Sequence, residues 1–230
     1  NSLPAIQHAI DLGVDIIEVD VKVTTDGVVI LNHDGTINRT TTGTGNPENY
    51  SWAELQNFRL KMPDETVTEE RLATFEEALN MVKGKAMIDI DIKTGNLEPV
   101  IAAIKKTGTE KQVFFFDNDY YALKEVLTLL PEALIMPRAY SYEMADSALN
   151  TFSPPVVHID DSFYTEELSQ LIKGKKARIW INALGEQDDY IRKGQTDKAL
   201  YNLLKYKANI IQTDEPEILI PLLKSKGQRD

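Results

Sequence analysis

Two stretches of this chain place acidic side chains at every second position. In IIEVDVKV, residues 16–23, Glu18, Asp20 and Lys22 alternate with Ile17, Val19, Val21 and Val23. In AMIDIDIK, residues 86–93, Asp89, Asp91 and Lys93 alternate with Ile88, Ile90 and Ile92. A period of two belongs to a β-strand, whose successive side chains point to opposite faces. Each segment therefore predicts a strand with one apolar and one acidic face. Ionised carboxylates gathered in a low-dielectric interior repel one another and are costly unless compensated. Compensation comes from Lys or Arg partners or from a divalent cation, and on these faces only Lys22 and Lys93 are available. A hard cation such as Mg²⁺ or Ca²⁺ takes oxygen ligands, and Glu18, Asp20 and Asp91 would suit it. The competing reading of each strand is an acidic face turned to water in an antiparallel sheet.

His33-Asp34 follows soon after the first acidic pair, past the turn Thr25-Asp26-Gly27 and a short extended piece, Val28–Leu31. A histidine beside a metal-bound phosphate can donate a proton to a leaving alkoxide, because it titrates near neutrality. Read alone, it is a surface histidine in a turn. His158 lies inside a strand-like run and reads as a buried, hydrogen-bonded histidine, and His8 on the first helix reads as structural. No Ser/His/Asp pattern stands out. Cysteine is absent, which excludes disulfides and thiolate metal sites. The loop RTTTGTGNPE lacks the Gly-Lys-Ser/Thr ending of a phosphate-binding P-loop.

The elements that must position these residues alternate along the chain. SLPAIQHAIDLG reads as an opening helix, capped by Ser2, with Pro4 in its first turn and Gly13 at its end. A strand at Asp15–Val21 follows, and a polar loop with one short helical segment occupies residues 35–70. Helix-like and strand-like segments then alternate to the C-terminus. Leaving out the piece at 28–31, strands of the βα type start near residues 15, 86, 113, 134, 156, 177 and 209. Such regularity implies parallel strands with helices outside. Eight units of this kind close a barrel of about 250 residues. The expected fold is therefore an α/β (β/α)8 TIM barrel forming a single domain over 1–230, with its first strand upstream of Asn1. An open doubly wound sheet is the competing architecture.

The chain is 42% hydrophobic and 27% charged, as suits one large domain, with no apolar run near the roughly 18 residues that span a bilayer. A net charge of −11 argues against nucleic acid as a partner. The chain opens at Asn1 without Met, which suggests a trimmed N-terminus, and the missing leader and absent cysteines lean towards an extracytoplasmic location.

Together these segments resemble the glycerophosphodiester phosphodiesterase family. The resemblance is carried by NSLPAIQHAIDLGVDIIEVDVKVTTDGVVILNHDGTINRTTTGTG, TFEEAL, IDIK and QTDEP. It implies a (β/α)8 barrel and metal-dependent hydrolysis of glycerophosphodiesters to an alcohol and glycerol 3-phosphate. It further implies Glu18, Asp20 and Asp91 as metal ligands, His33 as general acid, and Lys93 placed to neutralise phosphate charge. Trp180, in ARIWINAL, would line the alcohol or glycerol side or pack inside the barrel. Asp91 stands where the family has Glu, one methylene longer. The family's His-Arg-Gly and the Glu preceding Asn1 are not in the sequence, so a polypeptide starting at Asn1 would lack part of the site. A sphingomyelinase-D-like lyase and a non-catalytic barrel binding module are the rival functions.

Overall fold

The computed structural model describes residues 1–230. They divide into two compact units, residues 1–115 with 124–133, and residues 116–123 with 134–230. No helix is long and apolar enough to cross a membrane.

The first unit opens with α1 (Leu3–Leu12), where Ser2 Oγ accepts from the Ala5 N–H and Gly13 closes the helix at φ 77°. That left-handed conformation suits a residue without Cβ. The strands β1 (Ile16–Val23) and β2 (Val29–Leu31) form an antiparallel hairpin. The polar stretch after it holds α2 (Trp52–Leu55), and α3 (Phe75–Val82) follows. Both helices begin with a capping box, Ser51 with Glu54 and Thr74 with Glu77, which satisfies otherwise orphaned N–H groups. Strand β3 (Met87–Ile92) runs parallel to β1, pairing Glu18 with Asp89 and Asp20 with Asp91. This register removes the antiparallel alternative. Helix α4 (Leu97–Thr107) comes next, and the strand order continues β2-β1-β3-β4. Strand β4 (Val113–Asp117) and α5 (Tyr120–Leu129) are divided between the two units. Val19, Val21, Ile88 and Ile90 are fully buried, on strands that pack against α3 and α4. Burial of this apolar face leaves the acidic face pointing the other way.

The second unit contains β5 (Leu134–Pro137), α6 (Tyr142–Phe152), β6 (Val156–Asp160), α7 (Glu166–Gly174) and β7 (Arg178–Asn182). It continues with α8 (Glu186–Arg192), α9 (Thr196–Leu204), β8 (Ile210–Gln212) and α10 (Pro216–Ser225). Strands β6, β7 and β8 are parallel and adjacent. Val157, Ile159, Ile179 and Ile181 form a core with Leu149 of α6, Leu168 and Ile172 of α7 and Leu203 of α9. The opposite face carries His158, Asp160, Trp180, Asn182 and Gln212, with His158 opposite Trp180 and Asp160 opposite Asn182.

Each of the seven expected strands is present, and each expected helix between them has formed. Helix α8 was not expected. Its inward side is Gln187 and Asp188 beside a single Ile191, so no hydrophobic period announces it. Those buried polar groups are satisfied by tertiary partners. Gln187 donates to Asp161 at 2.5 Å, and Asp188 accepts from Thr213 Oγ at 2.5 Å and from the Asp214 N–H at 2.9 Å.

Candidate active site

Asp20 and Asp91 sit opposite each other near the C-terminal end of the β1–β3 parallel ladder, with Glu18 two residues lower. One carboxylate oxygen from each of Glu18, Asp20 and Asp91 lies within 4.8 Å of the others. Asp20 is almost completely buried. Its Oδ2 accepts from Asn1 Nδ2 at 2.6 Å, and its backbone N–H donates to Asn1 Oδ1 at 2.9 Å. Its Oδ1 is buried without a hydrogen-bond partner, and the nearest cation, Lys93 Nζ, stands 3.7 Å away. Lys93 instead donates to Asp91 Oδ2 at 2.7 Å, and the buried Lys22 ties the same strand end by donating to the Lys93 carbonyl at 3.0 Å. Burial, and then the charges of Asp20 and Asp91, push the Glu18 carboxyl up to about 8. Three converging carboxylates and an orphaned oxygen are a donor set suited to a hard divalent cation, whose charge would offset their repulsion. The three ligand assignments drawn from the sequence thus fall on residues that the fold brings together.

Asp89, on the same face of β3, is a further carboxyl that the sequence reading gave no role. It is 2% exposed, and its Oδ1 has no partner. Burial, followed by Glu18, Asp91 and Asp20, raises its pKa well above the ordinary carboxylate range. A buried polar atom without a hydrogen bond costs about 1–3 kcal/mol. The unfolded chain ionises at this position at about pH 3.9 while the native state holds the proton, so Asp89 costs stability as pH rises through that value. Asp89→Asn does not titrate, and the variant is expected to unfold at a higher urea midpoint than the parent at neutral pH in chelator. An unchanged or lowered midpoint would show that Asp89 is already compensated.

His33 follows β2 by two residues. The Asn32 N–H donates to the Asp20 carbonyl at 3.1 Å, which ties the start of this loop to the strand carrying the acids. His33 itself is exposed, and its Nδ1 pairs with Asp34 Oδ1 at 2.8 Å. Arg39 grips Asp34 with two hydrogen bonds, Nε to Oδ2 at 2.7 Å and Nη2 to Oδ1 at 2.9 Å. Hydrogen bonds from Arg39 and then His33 hold the Asp34 carboxyl well below its usual range. The Asp following His33 and the Arg five residues on were visible in the sequence, but not their contact.

Trp180 lies in the second unit and is 3% exposed. Its Nε1 donates to Gln212 Oε1 at 3.2 Å, and its ring lies 5.9 Å from that of His158. His158 is buried as expected, its Nε2 bonded to Arg138 Nη1 at 2.7 Å. His8 occupies an exposed position of α1.

Acidic side chains converging from adjacent parallel strands of an α/β fold define an enzyme class that works at strand ends. Within that class, the model of the glycerophosphoryl diester phosphodiesterase family matches residues 1–217, and the chain belongs to that family of phosphoric diester hydrolases. It is 26% identical to a glycerophosphodiester phosphodiesterase of Caldanaerobacter subterraneus subsp. tengcongensis, covering 99% of this chain and 93% of that protein. Among solved structures it resembles a glycerophosphoryl diester phosphodiesterase from Parabacteroides distasonis. That likeness has a TM-score of 0.84 and 24% identity over 98% of this chain and 81% of that one. It also resembles an Oleispira antarctica phosphodiesterase solved with the product sn-glycerol-3-phosphate. Here the TM-score is 0.80 and the identity 20%, over 97% of this chain and 91% of that one. These likenesses show the fold, the α/β barrel expected from the strand count.

Proposed function

We propose that the intact enzyme containing this chain hydrolyses glycerophosphodiesters to an alcohol and glycerol 3-phosphate, using a divalent cation, Mg²⁺ or Ca²⁺. The observation carrying this reading is the convergence of Glu18, Asp20 and Asp91 oxygens within 4.8 Å. Family membership and the product-bound Oleispira structure support the substrate class. Glu18, Asp20 and Asp91 would hold the cation, whose chemistry when bound is Lewis-acid polarisation of a phosphoryl oxygen.

This chain's own groups carry the remaining steps. Lys93, beside Asp91 and Asp20, balances negative charge where the phosphate would lie. His33 supplies the proton taken up by the leaving alcohol oxygen.

The test is release of choline or ethanolamine from glycerophosphocholine or glycerophosphoethanolamine, after chelation and with Mg²⁺ or Ca²⁺ restored. Full activity in chelator would end the cation reading, and a cyclic phosphate as the final product would replace hydrolysis with a lyase reaction. His33→Ala is expected to lower kcat on glycerophosphocholine by about 10²–10⁴-fold. Cation-induced thermal stabilisation should remain, because His33 is not among the ligands. Wild-type turnover in that variant would remove His33 from the proton transfer.

A further inference from the structure

We infer that Asp34 and Arg39 are positioning residues for His33: Asp34 fixes the imidazole by accepting from Nδ1, and Arg39 fixes Asp34 by gripping both of its oxygens. The inference rests on the reading of His33 as the proton donor. An ionised carboxylate can only accept hydrogen bonds, so the contact of His33 Nδ1 with Asp34 Oδ1 at 2.8 Å places a hydrogen on Nδ1. The proton to be given away then sits on Nε2, at the far side of the ring. As a water oxygen forms the new bond to phosphorus and its proton passes to solvent, the bond to the alcohol oxygen breaks; that electron pair goes to the alcohol oxygen, which takes the Nε2 proton. The ring is left neutral, with its Nδ1–H still held by Asp34.

Arg39 does not meet Asp34 through a passing contact. Its planar fork spans both carboxylate oxygens at 2.7 and 2.9 Å, a geometry that a lysine cannot reproduce. The backbone on either side is also fixed. Asn32 Nδ2 donates to the Asp34 carbonyl at 2.7 Å. The loop bearing Arg39 closes on itself through Ile37 N–H to the Gly45 carbonyl at 2.9 Å and Gly45 N–H to Asn38 Oδ1 at 2.8 Å. With His33 and Arg39 largely exposed, the ion pairs contribute little to stability, so stability does not explain a three-residue clamp on the surface.

The test compares two substrates that share glycerol phosphate and differ in the leaving group. One is glycerophosphocholine, whose alkoxide needs a proton. The other is the p-nitrophenyl ester of glycerol phosphate, whose phenolate does not. Asp34→Asn and Arg39→Ala are expected to lower kcat on glycerophosphocholine by about 10- to 100-fold, with KM unchanged and less than about threefold loss on the nitrophenyl ester. Arg39→Lys should recover only part of the loss. In ¹⁵N-resolved spectra, the wild-type protein should show a hydrogen-bonded Nδ1–H that disappears in both His33→Ala and Asp34→Ala. Equal losses on the two substrates, or a raised KM in Arg39→Ala, would overturn the positioning role, the latter pointing to direct phosphate contact. If His33→Ala itself shows no dependence on the leaving group, the acid reading falls and takes the inference with it. Leaving-group dependence in His33→Ala alone refutes only the clamp.

Discussion

Asp20→Asn is expected to lower kcat/KM on glycerophosphocholine by at least about 10³-fold at saturating Mg²⁺ or Ca²⁺, while the chelated protein becomes no less stable. Asp20 is the most buried of the three converging carboxylates, and its Oδ1 is orphaned. An amide oxygen is a weaker ligand than a carboxylate, and the amide lowers the ligand charge by one. Cation affinity should fall accordingly. The melting-temperature rise that the parent gains from added cation scales with RT ln(1 + [L]/Kd), so it should shrink or vanish in the variant. The same change relieves repulsion that now pushes Glu18 upward, the charge of Asp20 being the largest cause after burial. Activity and cation-free stability should therefore move in opposite directions, as they do when a site holds strain for function. Wild-type turnover, or an unchanged response to cation, would show that the cluster is not the metal site.

The second large effect belongs to the other unit. Arg138→Ala is expected to destabilise the protein by about 3 kcal/mol, near the lower end for breaking a buried pair because Asp160 keeps some contact with water. In a chain of this size that corresponds to a fall in Tm of roughly 6–12 °C. Arg138 Nη2 donates to both oxygens of Asp160 at 2.7 Å, and Nη1 donates to His158 Nε2 at 2.7 Å. Since arginine only donates, His158 Nε2 is the acceptor, and the neutral ring carries its hydrogen on Nδ1, which has no partner. Removing Arg138 leaves the Asp160 carboxylate with only the long hydrogen bond from Asn182 Nδ2 at 3.4 Å, and leaves His158 Nε2 without its donor.

The same histidine sets a pH dependence. Burial, and then Arg138, hold the His158 pKa well below 6.5. Below about 6.5 the unfolded chain therefore binds a proton that the native state refuses, and stability falls as pH drops through that value. His158→Gln should flatten this decline in urea melts between about pH 7.5 and 5.5. A decline of the same slope in His158→Gln would assign it to other groups. If Arg138→Ala unfolds at the parental midpoint, the pair contributes nothing.

The acidic strands were legible because period-two patterning states which residues share a face. Glu18, Asp20 and Asp91 were on the predicted faces, and the apolar partners Val19, Val21, Ile88 and Ile90 are buried as that pattern requires. The parallel alternation of strands and helices was legible for the same reason. Where burial is polar, the signal fails. Helix α8 buries Gln187 and Asp188, whose side-chain partners lie 15 or more residues away in the chain, and no local pattern announces such partners.

By itself the sequence determined the composition of each face and the order of strands and helices. Only the tertiary structure decided the register of β1 on β3 that sets Asp20 against Asp91, and that Asp89 is sealed beneath water's reach. It alone turned Arg39 back onto Asp34 and joined Arg138 to residues 20 and 22 positions along. Periodicity acts through bonds along one chain segment, whereas register, desolvation and charge pairing depend on which distant segments meet, and that is settled only when the apolar faces pack.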